Sequence, residues 1–163
     1  MRTRLASAAD AAAIARIYNE GIDDRLATFE TEPRTAADVR AWLENRTPLV
    51  VVEEHDEVVA WAAAHPYRPR PAYAGVGDFS IYVARMHRGR GLGRATLGAL
   101  IAECDGRGYW KLVSRIFPEN DASLALCRSV GFREVGIYRR HGRLDGEWRD
   151  CVIVELLLRR AAD

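Results

Sequence analysis

The sequence predicts a mixed α/β domain with a central sheet of six to seven strands flanked by four helices. Three observations predict it. Two segments with helical apolar spacing follow a short first strand. Valine-rich runs then break at polar or proline-rich turns. Finally, a glycine-rich turn separates a strand from a long helical segment. The 163 residues suit one domain over 1–163, large enough to bury a core without disulfide or metal staples.

Each element has its own local reason. Residues 3–6 read as a strand. Ser7 stands as an N-cap with Asp10 three residues on, and Ile14, Ile17 and Tyr18 carry helical spacing up to Gly21, where the run is expected to stop. Thr35 and Asp38 repeat the capping pattern ahead of Val39, Trp42 and Leu43. Residues 49–54 and 58–64 are apolar on either side of a polar turn, which makes a hairpin. Pro66, Pro69 and Pro71 make 65–74 a loop. Phe79, Ile81 and Val83 alternate within a strand over 77–84. The glycine turn at 88–93 opens a helix ending near Gly108. A strand at 109–117 and a helix at 119–130 follow, with Gly131 as the expected left-handed cap. Residues 132–138 and 148–158 read as strands, joined by a charged connector over 139–147.

Composition excludes several classes. Lysine and arginine total 24 against 23 acidic residues, a net charge of +1, so no global field draws the protein to nucleic acid. No apolar run approaches the ~18 residues that cross a bilayer, and the N-terminal segment lacks the apolar core of a secretion signal, so no membrane partner is expected. Cys104, Cys127 and Cys151 are odd in number and form no zinc spacing. No metal is expected, and a reducing, cytoplasmic compartment is.

The sharpest local signal is Arg88-Gly89-Arg90-Gly91-Leu92-Gly93-Arg94. Glycines before a helix let backbone N–H groups converge where the helix dipole is positive, which favours a phosphate or pyrophosphate. A P-loop would need Gly-Lys-Ser/Thr, which is absent, and a dinucleotide fingerprint would need glycine where Arg94 stands. Arg88, Gly91 and Gly93 match the Arg/Gln-x-x-Gly-x-Gly/Ala turn that holds the pyrophosphate of acetyl-CoA; a solvated turn carrying arginines is the plainer account.

One strand later, Asn120-Asp-Ala-Ser123-Leu-Ala-Leu-Cys127-Arg-Ser-Val-Gly131-Phe132 resembles the Asn…Gly-Phe segment of the GNAT superfamily of N-acetyltransferases. It is equally a capped amphipathic helix. The resemblance implies the GNAT fold and acetyl-CoA as co-substrate. It implies that the strand Ile81, Tyr82 and Val83 pairs with pantetheine. It places the pyrophosphate on Arg88, Gly89, Arg90, Gly91, Gly93 and Arg94, with Asn120 and Ser123 beside the pantetheine arm.

A narrower resemblance covers nearly the whole chain. Tyr18-Asn19-Glu20, the run Thr28-Phe29-Glu30-Thr31-Glu32-Pro33-Arg34-Thr35, Pro66-Tyr67-Arg68 and Ser80-Ile81-Tyr82-Val83 look like phosphinothricin N-acetyltransferases. Lys111-Leu-Val-Ser-Arg-Ile-Phe-Pro-Glu-Asn120 and the tail from Tyr138 to Asp150 are most similar to the arsinothricin N-acetyltransferases. The resemblance implies a small glutamate-analogue substrate acetylated on its α-amine, and a homodimer. Methionine sulfone or sulfoximine is a competing substrate, and a non-catalytic acyl-CoA sensor is a competing function.

The resemblance also carries roles. It puts Asp78 where the family has a glutamate base, one methylene longer; capping the strand end is the alternative. Cys127 stands where many members have an acid tyrosine, and a small buried hydrophobe is the plainer account. Arg68 occupies the loop position of a substrate-gripping cation, with Arg70 its neighbour. Phe29, Tyr73 and Tyr82 wall the pocket or belong to the core. Arg139, Arg140, His141 and Arg143 form a basic run of the kind that usually faces solvent; His141 is carried as a substrate contact. His55, His65 and His87 have no partner identifiable from sequence.

Overall fold

The computed structural model describes residues 1–159. One seven-stranded sheet runs in the order β1-β2-β3-β4-β5-β7-β6, formed by β1 Arg2–Leu5, β2 Leu49–Glu54, β3 Glu57–Pro66, β4 Val76–Val83, β5 Lys111–Ile116, β6 Arg133–Leu144 and β7 Glu147–Leu157. Every neighbouring pair is antiparallel except β4 with β5. The four helices are α1 Ala11–Asp23, α2 Ala36–Glu44, α3 Leu92–Gly106 and α4 Asp121–Ser129.

The capping signals act as their spacing predicts. Asp10 accepts from the Ser7 amide at 2.7 Å, and Asp38 accepts from the Thr35 amide at 2.7 Å while its own amide reaches Thr35 Oγ1 at 3.3 Å. His55 and Asp56 close the β2–β3 hairpin with φ of 50° and 62°. Gly131 follows α4 at φ 97°, the left-handed cap.

Two expectations are corrected. Gly21 does not stop α1, which continues to Asp23. The glycine is kept there by tertiary packing, since a Cβ on it would stand 2.4 Å from the Tyr82 ring. The charged run 139–147 is not a loose connector. β6 extends to Leu144 and the turn is tight, at Asp145 and Gly146 with φ of 49° and 82°. Cross-strand pairing of Gly142 with Arg149 and Arg143 with Trp148 engages the backbone, and the Arg143 guanidinium lies 4.3 Å from the centre of the Trp148 ring.

The sheet buries both faces over β2–β4. Phe79, Leu97, Leu100, Leu112 and Leu124 pack on the α3 and α4 side, while Ile14, Ile17, Val39, Trp61 and Tyr82 pack on the α1 and α2 side. Alternation along β4 therefore sends Phe79 to one layer and Tyr82 to the other.

β4 and β5 pair only from Val76–Lys111 to Asp78–Val113, then part. The Ala84 amide donates to Val59 O at 2.8 Å, and Val76 O accepts from the Tyr67 amide at 3.3 Å. Even-numbered residues of β4 thus direct their backbone to β3, and alternation turns the backbone groups of Phe79, Ile81 and Val83 into the gap.

Candidate active site

The gap between β4 and β5 opens into a groove of about 520 Å3 that runs along β4, the glycine turn and α4. Gly89 and Gly91 have φ of 74° and 82°, and nothing lies within 4 Å of a Cβ on either. Backbone sign, not crowding, demands glycine here. Gly93 differs: its Cβ would meet Leu126 Cδ2 at 3.1 Å, so it sets the close approach of α3 to α4. Gly91 directly precedes α3, whose first amides have no helical partner and face the turn.

The arginines of the turn divide their work. Arg88 donates to Val83 O at 3.1 Å and to Asp24 at 2.7 Å, tying the turn to the end of β4 and to α1. Arg94 lines the groove. Arg90 points away, to Glu54 of β2 at 3.2 Å, so only its backbone is available to a ligand in the turn. Asn120 caps α4 through Ser123 N at 3.2 Å and donates to Leu26 O at 3.3 Å, and both Asn120 and Ser123 line the groove. Among the described residues, His87 Nδ1 is buried without a hydrogen-bond partner, and His87 also lines the groove. Unpaired strand backbone, a left-handed glycine turn at a helix start and an orphaned ring nitrogen fit a long polar ligand ending in pyrophosphate.

A second cavity of about 240 Å3 adjoins the groove, sharing Ala27, Ile81, Tyr82, Asn120 and Ser123 with it. Asp78 on β4 and Arg115 on β5 form an ion pair in its wall. Arg115 is the only basic side chain among the described residues lining it. His65 stands opposite Asp78 in the β3–β4 register. Burial lowers the His65 pKa and the Asp78 charge opposes that shift only in part, so the imidazole is neutral at pH 7. Its ring lies 5.0 Å from Trp42, edge to face.

Phe29 covers the cavity, packed edge-on against Phe117 at 4.9 Å. Gly142 permits that approach, because a Cβ there would stand 2.8 Å from the Phe29 ring. Tyr82 reaches the wall of both cavities, but its ring stacks on Trp61 at 5.1 Å and its backbone serves β3. Burial raises its phenol pKa, so it stays protonated. Cys127 also lines the cavity, and burial pushes its thiol up to about 12. It is a thiol, not a thiolate nucleophile, at neutral pH.

Three residues expected at the substrate lie elsewhere. Arg68 is exposed over the Tyr67 ring, Tyr73 packs edge-on against Tyr67 at 5.7 Å, and neither lines the cavity. The loop expected over 65–74 starts later, since His65 and Pro66 pair with Asp78 and Gly77 as the end of β3; Pro69 and Pro71 lie in the remaining 67–75 loop, which holds Arg68 and Tyr73. His141 is exposed on the outer β6–β7 hairpin beside Tyr138. Arg115 and His65 were missed. Alternation puts Arg115 on the face of Val113, but only the β4–β5 register puts Val113 beside Asp78.

A sheet split beside a glycine turn, with an acid-bearing cavity where the split begins, defines an acyl-CoA-dependent transferase. Residues 14–132 match the Acetyltransferase (GNAT) family, and the chain belongs to that family. It is 35% identical over 162 residues to the L-amino acid N-acyltransferase MnaT of Escherichia coli, covering 97% of this chain and 94% of that one. It is 32% identical over 160 residues to the L-methionine sulfoximine/L-methionine sulfone acetyltransferase of Pseudomonas aeruginosa, covering 95% and 93%. A phosphinothricin acetyltransferase from Sinorhizobium meliloti, solved in complex with acetyl-CoA, superposes with a TM-score of 0.88 at 32% identity, covering 96% of this chain and 88% of that one. The protein is an N-acetyltransferase that uses acetyl-CoA. Among the described residues no helix is long and apolar enough to cross a membrane.

Proposed function

We propose that the enzyme acetylates the α-amine of a small glutamate-like amino acid with a tetrahedral, anionic end, arsinothricin or phosphinothricin, and so detoxifies it. The observation that carries this reading is the cavity of about 240 Å3 in which one carboxylate and one guanidinium stand beside the split strand. Its volume admits a small amino acid. The likeness to the phosphinothricin acetyltransferase of Sinorhizobium meliloti supports the substrate class.

Acetyl-CoA supplies an activated acetyl thioester. The backbone of Ile81 and Val83 orients the pantetheine arm in the gap, and the Gly89–Gly91 turn receives the pyrophosphate at the start of α3. Asp78 accepts the proton that the substrate ammonium must lose before its nitrogen can attack, directly or through one water, given the short side chain. Transfer is direct, since the protonated Cys127 offers no acyl-carrying thiolate. Arg68 supplies a further anion contact if the 67–75 loop folds over the mouth, which begins one register step beyond Asp78.

The relative in Pseudomonas aeruginosa favours methionine sulfoximine or sulfone as a second reading. Comparing kcat/KM for arsinothricin, phosphinothricin, methionine sulfone and glutamate separates the two. Preference for either toxin, with glutamate far behind, supports the proposal; preference for methionine sulfone replaces it.

Val135, Ile137, Trp148 and Leu157 are exposed apolar residues on β6 and β7 and suit a homodimer, which light scattering would register as about twice the chain mass of 18.3 kDa. Three buried free cysteines suit a cytoplasmic enzyme.

A further inference from the structure

We propose that Arg115 determines specificity by exchange: it holds Asp78 in the resting site and moves to the anion of the incoming amino acid, which releases the Asp78 carboxylate to the amine. This inference rests on the N-acetyltransferase reading and adds a reason why the enzyme should reject amines that carry no anion.

The register creates the pair. Val113 is the parallel partner of Asp78, and Arg115 lies two residues further along β5, on the same face and just beyond the point where the strands part. There its side chain leans back to Asp78 across the mouth of the split. Its antiparallel neighbour on β7 is Ile153, which offers no competing carboxylate. The pair is partly open to water, with side-chain exposures of 38% for Arg115 and 21% for Asp78. Partly exposed ion pairs contribute little to stability, so opening this one costs little. A carboxylate or phosphinate can take the guanidinium fork with two charge-assisted hydrogen bonds, which makes exchange favourable.

Among the described residues that line the cavity, Arg115 has no substitute. His65 faces Asp78 from β3 as a neutral ring, and Glu30, which also lines the cavity, is paired with Arg34 at 2.9 Å. Once Arg115 turns to the substrate anion, no second cation among the cavity-lining residues holds Asp78. The ammonium then becomes its natural partner and passes it a proton. The freed amine forms the new C–N bond as the C–S bond of the thioester breaks, and the sulfur leaves as thiolate and takes up the second proton that the nitrogen sheds in becoming an amide, giving free CoA thiol. An amine without an anion cannot move Arg115 and meets an occupied base.

The test uses the full chain, saturating acetyl-CoA and two amines: phosphinothricin, which carries two anionic groups, and 2-aminobutanamide, which carries none. Wild-type turnover of phosphinothricin tests the proposed substrate class by itself. Arg115→Gln is expected to raise KM for phosphinothricin at least tenfold, while kcat/KM for 2-aminobutanamide rises because Asp78 is no longer occupied; an unchanged value for the amide means that Arg115 only grips the anion and overturns the exchange. Arg115→Lys is expected to restore much of the phosphinothricin KM. Acetyl-CoA affinity measured by calorimetry, unchanged in both variants, reports an intact fold. If Arg115→Gln loses both amines in parallel, or leaves the phosphinothricin KM unchanged, the exchange is wrong although the transferase reading stands. If the wild-type enzyme acetylates neither amine and does not bind phosphinothricin, the exchange and the proposed substrate class fall together.

Discussion

Ser114 Oγ donates a hydrogen bond of 2.9 Å to the Phe79 carbonyl at the level where β4 and β5 cease to pair. The bond closes the apex of the split: behind it the strands form a parallel ladder, and ahead of it the backbone of Ile81 and the Val83 amide are open to a ligand, the Val83 carbonyl being held by Arg88. Ser114→Ala removes the donor and leaves a partly buried carbonyl unpaired. An intramolecular hydrogen bond contributes about 1 kcal/mol net, so urea unfolding should show a loss of about that size. Acetyl-CoA affinity should fall less than in the turn variant below, because Ser114 itself does not line the groove.

The glycine turn makes a stronger demand on the cofactor side. Gly91 has φ of 82° with open space around it, so Gly91→Val meets no clash and acts through backbone strain. A β-branched residue held left-handed costs about 1–3 kcal/mol, and relaxing that strain would swing the α3 amides off the pyrophosphate. Calorimetry should show acetyl-CoA binding weakened at least about tenfold, equivalent to 1.4 kcal/mol.

Proton removal should depend on Asp78. Asp78→Asn is expected to lower kcat by about 10²–10⁴ at neutral pH with acetyl-CoA affinity nearly unchanged, since Asp78 lines the substrate cavity and not the groove. The deficit should narrow as pH rises and the amine deprotonates unaided. A pH–rate profile running parallel to wild type would move the role to another group.

Acid stability should depend on a different carboxylate. Arg4 hydrogen-bonds Asp10 at 2.7 and 2.8 Å and, with the Ser7 amide, holds its pKa down at about 2. A carboxyl whose pKa is lower folded than unfolded stabilises above its unfolded value, 3.8, and loses that contribution as pH falls through its folded value. Asp10→Asn should therefore cost about 2 kcal/mol at pH 7, and the gap to wild type should close between about pH 4 and pH 2. Thermal unfolding across that range measures it.

Much of this molecule is settled within short stretches of chain. Thr35 and Asp38 start α2 because a side chain three residues away can cap the first amides, and that needs no distant partner. Gly89, Gly91 and Gly131 mark left-handed backbone wherever the rest of the chain lies. The hairpin at His55 and Asp56 and the glycine turn before α3 were legible for the same reason, as was the family resemblance that the motifs carry. Tertiary structure decided what depends on register and on which faces meet. Gly21 stays inside α1 because the Tyr82 ring, 61 positions away, fills the space a side chain would need. Residues 142–144 are strand rather than connector because Glu147–Arg149 of β7 pair with them. Above all, the sequence marks Arg68 as the substrate cation, whereas the folded cavity is lined by Arg115. Local pattern fixes the side of a strand on which a residue points. Only the pairing of β4 with β5 decides that Arg115 stands beside Asp78, since a shift of one residue would turn it to the opposite face of the sheet.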